Sequence, residues 1–245
     1  MRRTLLTVVI VLGLAAFGAP KAEADGVSFV GTLGTPETTF NVVLDLSSTA
    51  TITVQTYGFG GGMNQAGVII APGGTDPFLA IFAGTGGGAT ILTDGSGNPF
   101  GTSLDVTNYG NPLNLTAGQD FVGCPPAGAP TIGGASQCGD VTMVLSGLTA
   151  GLYTVVLTDG QNPANAIFDD GTLGEGFSDL TGGQFCNLAI NGAACPNTSG
   201  QFALDITGLP DGSTTSVVPE PATLVLLGAG LAGIGLRKRS LSRRV

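Results

Sequence analysis

The sequence predicts an all-β fold, an antiparallel β-sandwich or jelly roll, with a short apolar helix at each end of the chain. Three observations support this prediction. Apolar and polar residues alternate with a period of two in several short segments, which is typical of strands with one buried face. Clusters of Gly, Pro, Asn and Asp separate these segments, as turns between strands require. No internal segment of the 245 residues keeps a 3.6-residue apolar period with helix caps, so no long helix is expected there.

The charged residues are distributed very unevenly along the chain. All eight Lys and Arg residues lie before residue 22 or after residue 236, and there is no His. Of the 17 Asp and Glu residues, all except Glu23 lie between Asp25 and Glu220. We interpret this pattern as an acidic, exported body between two membrane-directed ends. The same charge disfavours nucleic-acid binding, because contacts with phosphates need cations.

The N-terminal end has the organisation of a signal peptide. Two arginines are followed by a mainly apolar run over residues 5–17, which is shorter than the roughly twenty residues of a membrane-spanning helix. Ala22 and Ala24 then form the small-x-small pattern that signal peptidase recognises. The sequence therefore predicts that signal peptidase removes residues 1–24.

The C-terminal end begins with a proline-rich motif, Val218-Pro219-Glu220-Pro221-Ala222-Thr223. An uninterrupted apolar segment follows it, and the basic cluster Arg237-Lys238-Arg239 comes directly after that segment. A helix over residues 222–236 would be about 22 Å long, which is shorter than a hydrocarbon core of about 30 Å. The sequence predicts a short transmembrane helix that is held temporarily, with the basic cluster retaining its end on the cytoplasmic side.

The motif, the apolar segment and the basic cluster resemble, in this order, the PEP-CTERM sorting tail of bacteria with a Gram-negative-type envelope. The resemblance covers residues 218–245. It implies that an exosortase, a membrane-embedded protease, cuts near the Pro-Glu-Pro sequence while the chain is transiently anchored in the inner membrane. It also implies export to the cell surface or the extracellular space, in connection with extracellular polysaccharide or biofilm matrix. An ordinary tail anchor with a proline-rich neck is the alternative.

Residues 25–212 are predicted to form one domain, which a linker over residues 213–217 joins to the sorting tail. In the clearest of the alternating segments, Phe40, Val42 and Leu44 share one face with Leu46. Such segments, separated by long polar turns, predict short antiparallel strands. The segments that alternate are residues 40–46, 51–57, 141–145 and 201–206.

Two further segments resemble paired signatures of the bacterial pre-peptidase C-terminal (PPC) β-sandwich. The first begins a strand with Asp76-Pro77, and the second contains Gly151-Leu152-Tyr153. In that family the two strands face each other in the core. The resemblance extends over about residues 27–208, and it implies an exported PPC-like domain with no assigned activity.

The chain contains four cysteines, and an even number in an exported protein favours disulfides. Cys124, Cys138, Cys186 and Cys195 allow three pairings. We expect the local pairing, Cys124 with Cys138 and Cys186 with Cys195. A metal site is the alternative, which the absence of His and of any Cys-x-x-Cys sequence disfavours.

The residues that most enzyme mechanisms need are absent from the predicted domain. Without His there is no Ser-His or Cys-His nucleophile pair, and no Lys is present to form a Schiff base. A glycosidase would need paired carboxylates, and the densest acidic cluster lies in a glycine-rich loop around Asp169 and Glu175. We therefore expect a non-enzymatic cell-surface or extracellular-matrix protein without an organic cofactor.

Calcium is the one ligand that this composition tolerates, because calcium binds carboxylate, amide and main-chain oxygens. The candidate ligands are Asp94 and Asn98 in one loop, and Asp169, Asp170 and Glu175 in another. Neither loop matches an EF-hand, and Asp and Asn often serve only the geometry of a turn. A carbohydrate-binding or adhesion module, assisted by calcium, is the alternative function, although the chain has no Trp and only three Tyr for stacking on sugars.

Overall fold

A computed structural model describes residues 26–94, 97–102, 119–123, 137–179, 182–185 and 199–218. The helices predicted at the two ends of the chain lie outside these residues. Within the described ranges, no helix is long and apolar enough to cross a membrane. The helical turns found in these ranges are short 3₁₀ helices at Gly86–Gly88, Asn165–Ile167 and Leu173–Glu175.

The described part of the chain is all-β, and its strands pair in antiparallel fashion, which confirms the predicted class. Short β-branched and aromatic segments between glycine-rich turns account for this structure. The strands are β1 (Gly26–Thr32), β2 (Phe40–Leu46), β3 (Ala50–Tyr57), β4 (Gly62–Met63), β5 (Ile69–Ile70), β6 (Pro77–Ala83), β7 (Thr90–Ile91), β8 (Gly101–Thr102), β9 (Gln119–Gly123), β10 (Gln137–Leu148), β11 (Gly151–Asp159), β12 (Gln201–Thr207) and β13 (Thr214–Val218).

These strands form two main sheets. The strand order is β1-β12-β3-β10-β9 in the first sheet and β13-β2-β11-β6-β7 in the second, where β8 also pairs with β6. Strands β4 and β5 form a separate hairpin. Among the described strands, β1 and β9 therefore lie at the edges of the first sheet, and β13 and β7 lie at the edges of the second.

One hydrophobic core takes residues from both sheets. Val42 and Leu44 of β2, in the second sheet, belong to the same buried cluster as Ile52 and Val54 of β3, in the first. Alternate residues reach this core because successive side chains of a strand point to opposite faces. The period-two prediction is confirmed in these strands. The other predicted strands contribute Val141, Met143 and Leu145 from β10, and Phe202, Leu204 and Ile206 from β12.

Strand β6 departs from this alternation because it is buried on both faces. Leu79 and Ile81 belong to the main core, whereas Phe78 and Phe82 belong to a second cluster. The loop after β11 contributes Ile167 to that second cluster. A strand that is covered on both sides has no polar face, so its sequence is a continuous apolar run.

The two segments that resemble the PPC signatures are neighbours in the second sheet. In the β6–β11 ladder, Pro77 lies opposite Asp159, and Ala83 lies opposite Tyr153. The Tyr153 hydroxyl donates a hydrogen bond to the carbonyl oxygen of Thr149, 2.9 Å away. Membership of the PPC family stays a prediction.

The segment before the sorting motif forms a strand in the structure, where the sequence predicts a linker over residues 213–217. Strand β13 pairs with β2 over five residues, with Val217 opposite Val42 and Val218 opposite Asn41. Four of its five residues are β-branched, which favours an extended strand. The second sheet therefore reaches the residue that precedes Pro219.

Candidate functional site

Strand β13 is the described element that leads into the predicted sorting motif. It lies at the sheet edge, where Val217 and Val218 are 45 % and 41 % exposed. Its only half-buried residue is Thr215, and the other four are exposed. Of the residues predicted for processing, Val218 ends this strand. The others lie outside the described residues. They are Pro219, Glu220, Pro221, Ala222, Thr223, Arg237, Lys238, Arg239, Ala22 and Ala24.

A tight turn ties the start of β13 to the end of β2. The Ser47 hydroxyl donates a hydrogen bond to the carbonyl oxygen of Asp211 (2.7 Å), and the Ser47 N–H donates one to Oγ of Ser213 (3.1 Å). Gly212 has a φ of 80°, in the left-handed region that favours glycine. The turn fixes the position at which β13 begins, and the opposite end of the strand continues into the motif.

The first candidate calcium loop is closed by its own side chains. Oδ1 of Asp94 accepts a hydrogen bond from the Asn98 N–H, and Oδ2 accepts one from Nδ2 of Asn98, each at 2.9 Å. Hydrogen bonds of this kind are ordinary turn chemistry for Asp and Asn. The structure thus brings both predicted residues together, and their contact shapes the loop.

In the second candidate loop, Glu175 caps a 3₁₀ helix. Its Oε1 accepts hydrogen bonds from the N–H of Thr172 (2.7 Å) and from the Thr172 hydroxyl (3.3 Å), forming a capping box. Asp169 and Asp170 are exposed in the preceding turn, and Asp170 has a φ of 57°. Within the described ranges, no group of three or more His, Cys, Asp or Glu residues is arranged to hold a metal ion.

The sequence did not indicate that Asp140, at the start of the apolar part of β10, is a buried acceptor. It is 1 % exposed. Its Oδ1 accepts a hydrogen bond from the Gly58 N–H (2.6 Å), and its Oδ2 accepts one from the Gly60 N–H (2.8 Å). The Thr56 hydroxyl adds a longer contact of 3.3 Å. Asp140 thus holds the glycine-rich turn after β3 against β10.

Burial raises the pKa of Asp140 from 3.8 to about 7. The N–H groups of Gly60 and Gly58 act in the opposite direction, because they stabilise the ionised carboxylate. No side chain between residues 25 and 220 can supply a cationic partner to Asp140, because that stretch has no Lys, Arg or His. The carboxylate is therefore stabilised by backbone dipoles.

A second buried carboxylate, Asp205 of β12, joins the first sheet to the β4–β5 hairpin. Its Oδ1 accepts a hydrogen bond from the Ser28 hydroxyl, and its Oδ2 accepts one from the Gln65 N–H, each at 2.6 Å. Burial, followed by the charge of Asp205, raises the pKa of Tyr57 to about 12. Asp205 therefore fixes the hairpin at the β1 side of this sheet.

Two more acidic residues, Asp76 and Asp159, are each 1 % exposed where β6 begins and β11 ends. The Thr75 hydroxyl donates a hydrogen bond to Oδ2 of Asp159 (3.1 Å), and the Gln161 N–H donates one to Oδ1 (3.1 Å). The carboxylates of Asp140, Asp159 and Asp205 thus accept hydrogen bonds within the fold, and Asp76 accepts one from the Gly160 N–H at its carbonyl oxygen (2.6 Å).

An open apolar groove of about 310 Å³ lies between β1 and the β4–β5 hairpin. Ile69 is 80 % exposed there, Val30 58 % and Val68 43 %. Of the described residues that line the groove, none is charged. They are Val30, Gly31, Thr32, Val68, Ile69, Ile70, Ala71, Gln201 and Phe202.

The described tyrosines are engaged within the fold. Tyr57 interacts with Asp205, and the hydroxyl of Tyr153, which is 7 % exposed, donates a hydrogen bond to the Thr149 carbonyl oxygen. Tyr109 lies outside the described residues. Tyr153 is therefore too deeply buried for its ring to stack on a sugar, whereas Tyr57 is half-buried.

One of the four cysteines, Cys138, lies in a described strand, β10. Cys124, Cys186 and Cys195 lie outside the described residues. The β9–β10 ladder places Gly123 opposite Gln137, next in sequence to Cys124 and Cys138 respectively. The predicted pairings of the cysteines stay predictions.

Comparison with known families identifies the C-terminal end of the chain. A family model of the PEP-CTERM protein-sorting motif matches residues 217–240. Searches of curated proteins and of solved structures find no match for this chain. The match begins at Val217, so its first two residues are also the last two of β13. The chain carries a PEP-CTERM sorting signal, which implies exosortase-dependent sorting of an exported protein and anchoring in a membrane before release to the surface.

Proposed function

We propose that this protein is a non-enzymatic component of the cell surface or extracellular matrix, delivered there by exosortase processing. The observation that carries the proposal is the match of residues 217–240 to the sorting motif. In the proposed route, signal peptidase removes residues 1–24, and the short apolar helix holds the chain in the inner membrane of a bacterium with a Gram-negative-type envelope. The exosortase then cuts near Pro219-Glu220-Pro221, and the tail with Arg237-Lys238-Arg239 is lost.

The released body is proposed to be a PPC-like β-sandwich. Two antiparallel sheets that share one apolar core support this architecture, and so does the pairing of the Asp-Pro strand with the Gly-x-Tyr strand. Such a body needs no ligand to bury its core. It is suited to a structural role in an extracellular polysaccharide or biofilm layer.

A non-enzymatic role is supported by how the carboxylates are used. Asp140 and Asp205 are acceptors for backbone N–H groups inside the fold, and Glu175 caps a 3₁₀ helix. General acid–base catalysis needs a carboxyl group that can reach a bound substrate. The contacts of these three groups are instead structural.

Pulse–chase labelling of two full-length variants tests the proposed route. Replacement of Pro219, Glu220 and Pro221 by alanine should abolish loss of the tail, because it removes the two prolines that oppose helix propagation and favour an extended chain. The matched control, Ser242→Ala with Val245→Ala, changes the tail beyond the matched residues 217–240 and should be processed normally. Equal processing of the two variants would contradict cleavage at the motif.

A carbohydrate-binding or adhesion module, assisted by calcium, is the second candidate, and the acidic loops around Asp94 and Glu175 are what favour it. Retention of the purified body on extracellular polysaccharide, measured with and without a chelator, distinguishes the two. A structural protein without a carbohydrate-binding site should show no saturable binding to the polysaccharide, and the chelator should not change the amount retained. Saturable, calcium-dependent retention would favour the second candidate.

A further inference from the structure

Strand β13 and the sorting motif share residues. The motif match starts at Val217, and the sheet ends at Val218. From Val218 to Ala222, where the apolar helix is predicted to start, the chain can span at most about 14 Å when fully extended. When the predicted helix enters the membrane at Ala222, the end of β13 therefore lies within about 14 Å of the membrane surface.

A protease needs an extended substrate on both sides of the bond that it cuts. If cleavage occurs within Pro219–Pro221, the residues on the N-terminal side of that bond include Val217 and Val218, which directly precede Pro219. In the folded domain these residues lie in the β2–β13 ladder, opposite Val42 and Asn41. The ladder occupies the backbone groups on one side of the segment that the protease would have to hold.

Strand β13 can also separate from the second sheet without removing any residue from the hydrophobic core. It pairs on one side only, and none of its residues is buried. The β2 strand remains paired with β11, and its residues Val42 and Leu44 remain in the core cluster that both sheets form. The turn at Gly212 and Ser213 stays attached to β2 through Ser47, so it provides a pivot.

We propose that β13 is a detachable edge strand, and that the membrane protease cuts the chain only when β13 has separated from β2. This inference rests on the proposed function and adds a recognition element to it. The protease recognises the Pro-Glu-Pro motif together with the freed strand, and separation of the ladder controls the rate of processing.

A disulfide across the ladder tests the proposal in the exported, full-length protein. Ser216 lies opposite Val43, so Ser216→Cys with Val43→Cys joins the two strands. Thr32→Cys with Gln201→Cys is the matched control, because these residues are opposite each other in the β1–β12 ladder of the first sheet, which does not include β13. We expect the oxidised β2–β13 variant to lose its tail at least ten-fold more slowly than the control, and a reductant to restore the rate. Cleavage of the oxidised variant at the control rate would overturn the proposal.

A second variant pair does not depend on disulfide formation. Thr215→Gly with Val217→Gly weakens the strand, because glycine is disfavoured in strand interiors. We expect this variant to be processed faster than the wild type. In the disulfide background, four Gly and Ser residues inserted between Val218 and Pro219 should restore cleavage, since the protease can then hold a segment outside the ladder. An unchanged rate in the glycine variant would overturn the proposal, whereas a wild-type chain that keeps its tail would overturn the proposed function instead.

Discussion

Asp140 of β10 accepts a hydrogen bond at Oδ1 from the backbone N–H of Gly58, 2.6 Å away and 82 residues earlier in the chain. The contact joins a buried carboxylate to a glycine-rich turn. The packing of the first sheet therefore depends on the protonation state of Asp140, and so the free energy of unfolding should depend on pH.

The stability of the domain should decrease with rising pH because of Asp140. Its pKa of about 7 in the folded protein lies above the ordinary value of 3.8, so the folded state binds this proton more tightly than the unfolded chain. The stabilisation from this group is fully present below about pH 4 and is lost as the pH rises through 7. At about 1.4 kcal/mol for each pKa unit, the loss is on the order of 4 kcal/mol.

Urea unfolding of the wild type and of Asp140→Asn, between pH 4 and pH 8, measures this effect. The many exposed carboxylates contribute equally to both proteins, so the difference between their free energies of unfolding isolates Asp140. We expect the free energy of unfolding of the wild type to fall, relative to that of Asp140→Asn, as the pH rises from 4 to 8. Two parallel curves would contradict the raised pKa.

Asp205→Asn should loosen the β4–β5 hairpin. The carboxylate accepts hydrogen bonds from both Ser28 and the Gln65 N–H, and an amide cannot accept at both atoms. We expect amide hydrogen exchange of residues 62–70 to accelerate about ten-fold through local opening, and the pKa of Tyr57 to fall. Asp45→Asn, at an exposed position of β2, is the control and should change neither. Unchanged exchange in Asp205→Asn would show that the hairpin is held by other contacts.

Gly171 and Glu175 should be energetically coupled. An alanine Cβ at residue 171 would overlap the carboxylate of Glu175, which must then leave its capping position. Gly171→Ala and Glu175→Ala should therefore each cost about 1 kcal/mol, the typical loss of a helix cap. The double variant should cost no more than either single one, as thermal or urea unfolding can determine. Additive losses would indicate that the two residues act separately.

A disulfide between Cys124 and Cys138 should close the β9–β10 hairpin. The backbone register places Gly123 opposite Gln137, so the two cysteines are adjacent in sequence to paired residues. Closing a loop of about fifteen residues stabilises a protein by about 3 kcal/mol. Non-reducing peptide mapping should find this pair together with Cys186–Cys195. A peptide that links Cys124 to either of the later cysteines would contradict the prediction.

The strands with one buried face could be predicted from the sequence because burial follows the two-residue repeat. In β2, Val42, Leu44 and Leu46 are buried and Asp45 is exposed, as the alternation indicates. The same argument could not reveal β13, because Thr-Thr-Ser-Val-Val has no such repeat and becomes a strand only when β2 offers it an edge. Its role as a strand depends on residues about 170 positions earlier.

The buried carboxylates could not be predicted, since their partners are distant in the sequence. Gly60 is 80 residues from Asp140, and Gln65 is 140 residues from Asp205. Asp94 and Glu175, by contrast, interact within four residues, so their turn chemistry was visible as an alternative to calcium. The sorting motif was recognisable because its parts follow each other directly in the chain.

We infer that the folded body is exported and that its C-terminal end is produced by processing at the sorting motif. Intact-mass spectrometry of the protein recovered from the producing cells reports both ends of the mature chain. We predict a species that starts at Asp25 and ends within Pro219-Glu220-Pro221, without the arginine-rich tail. A mature species that still carries Arg237-Lys238-Arg239 would show that the motif is not a cleavage site in this protein.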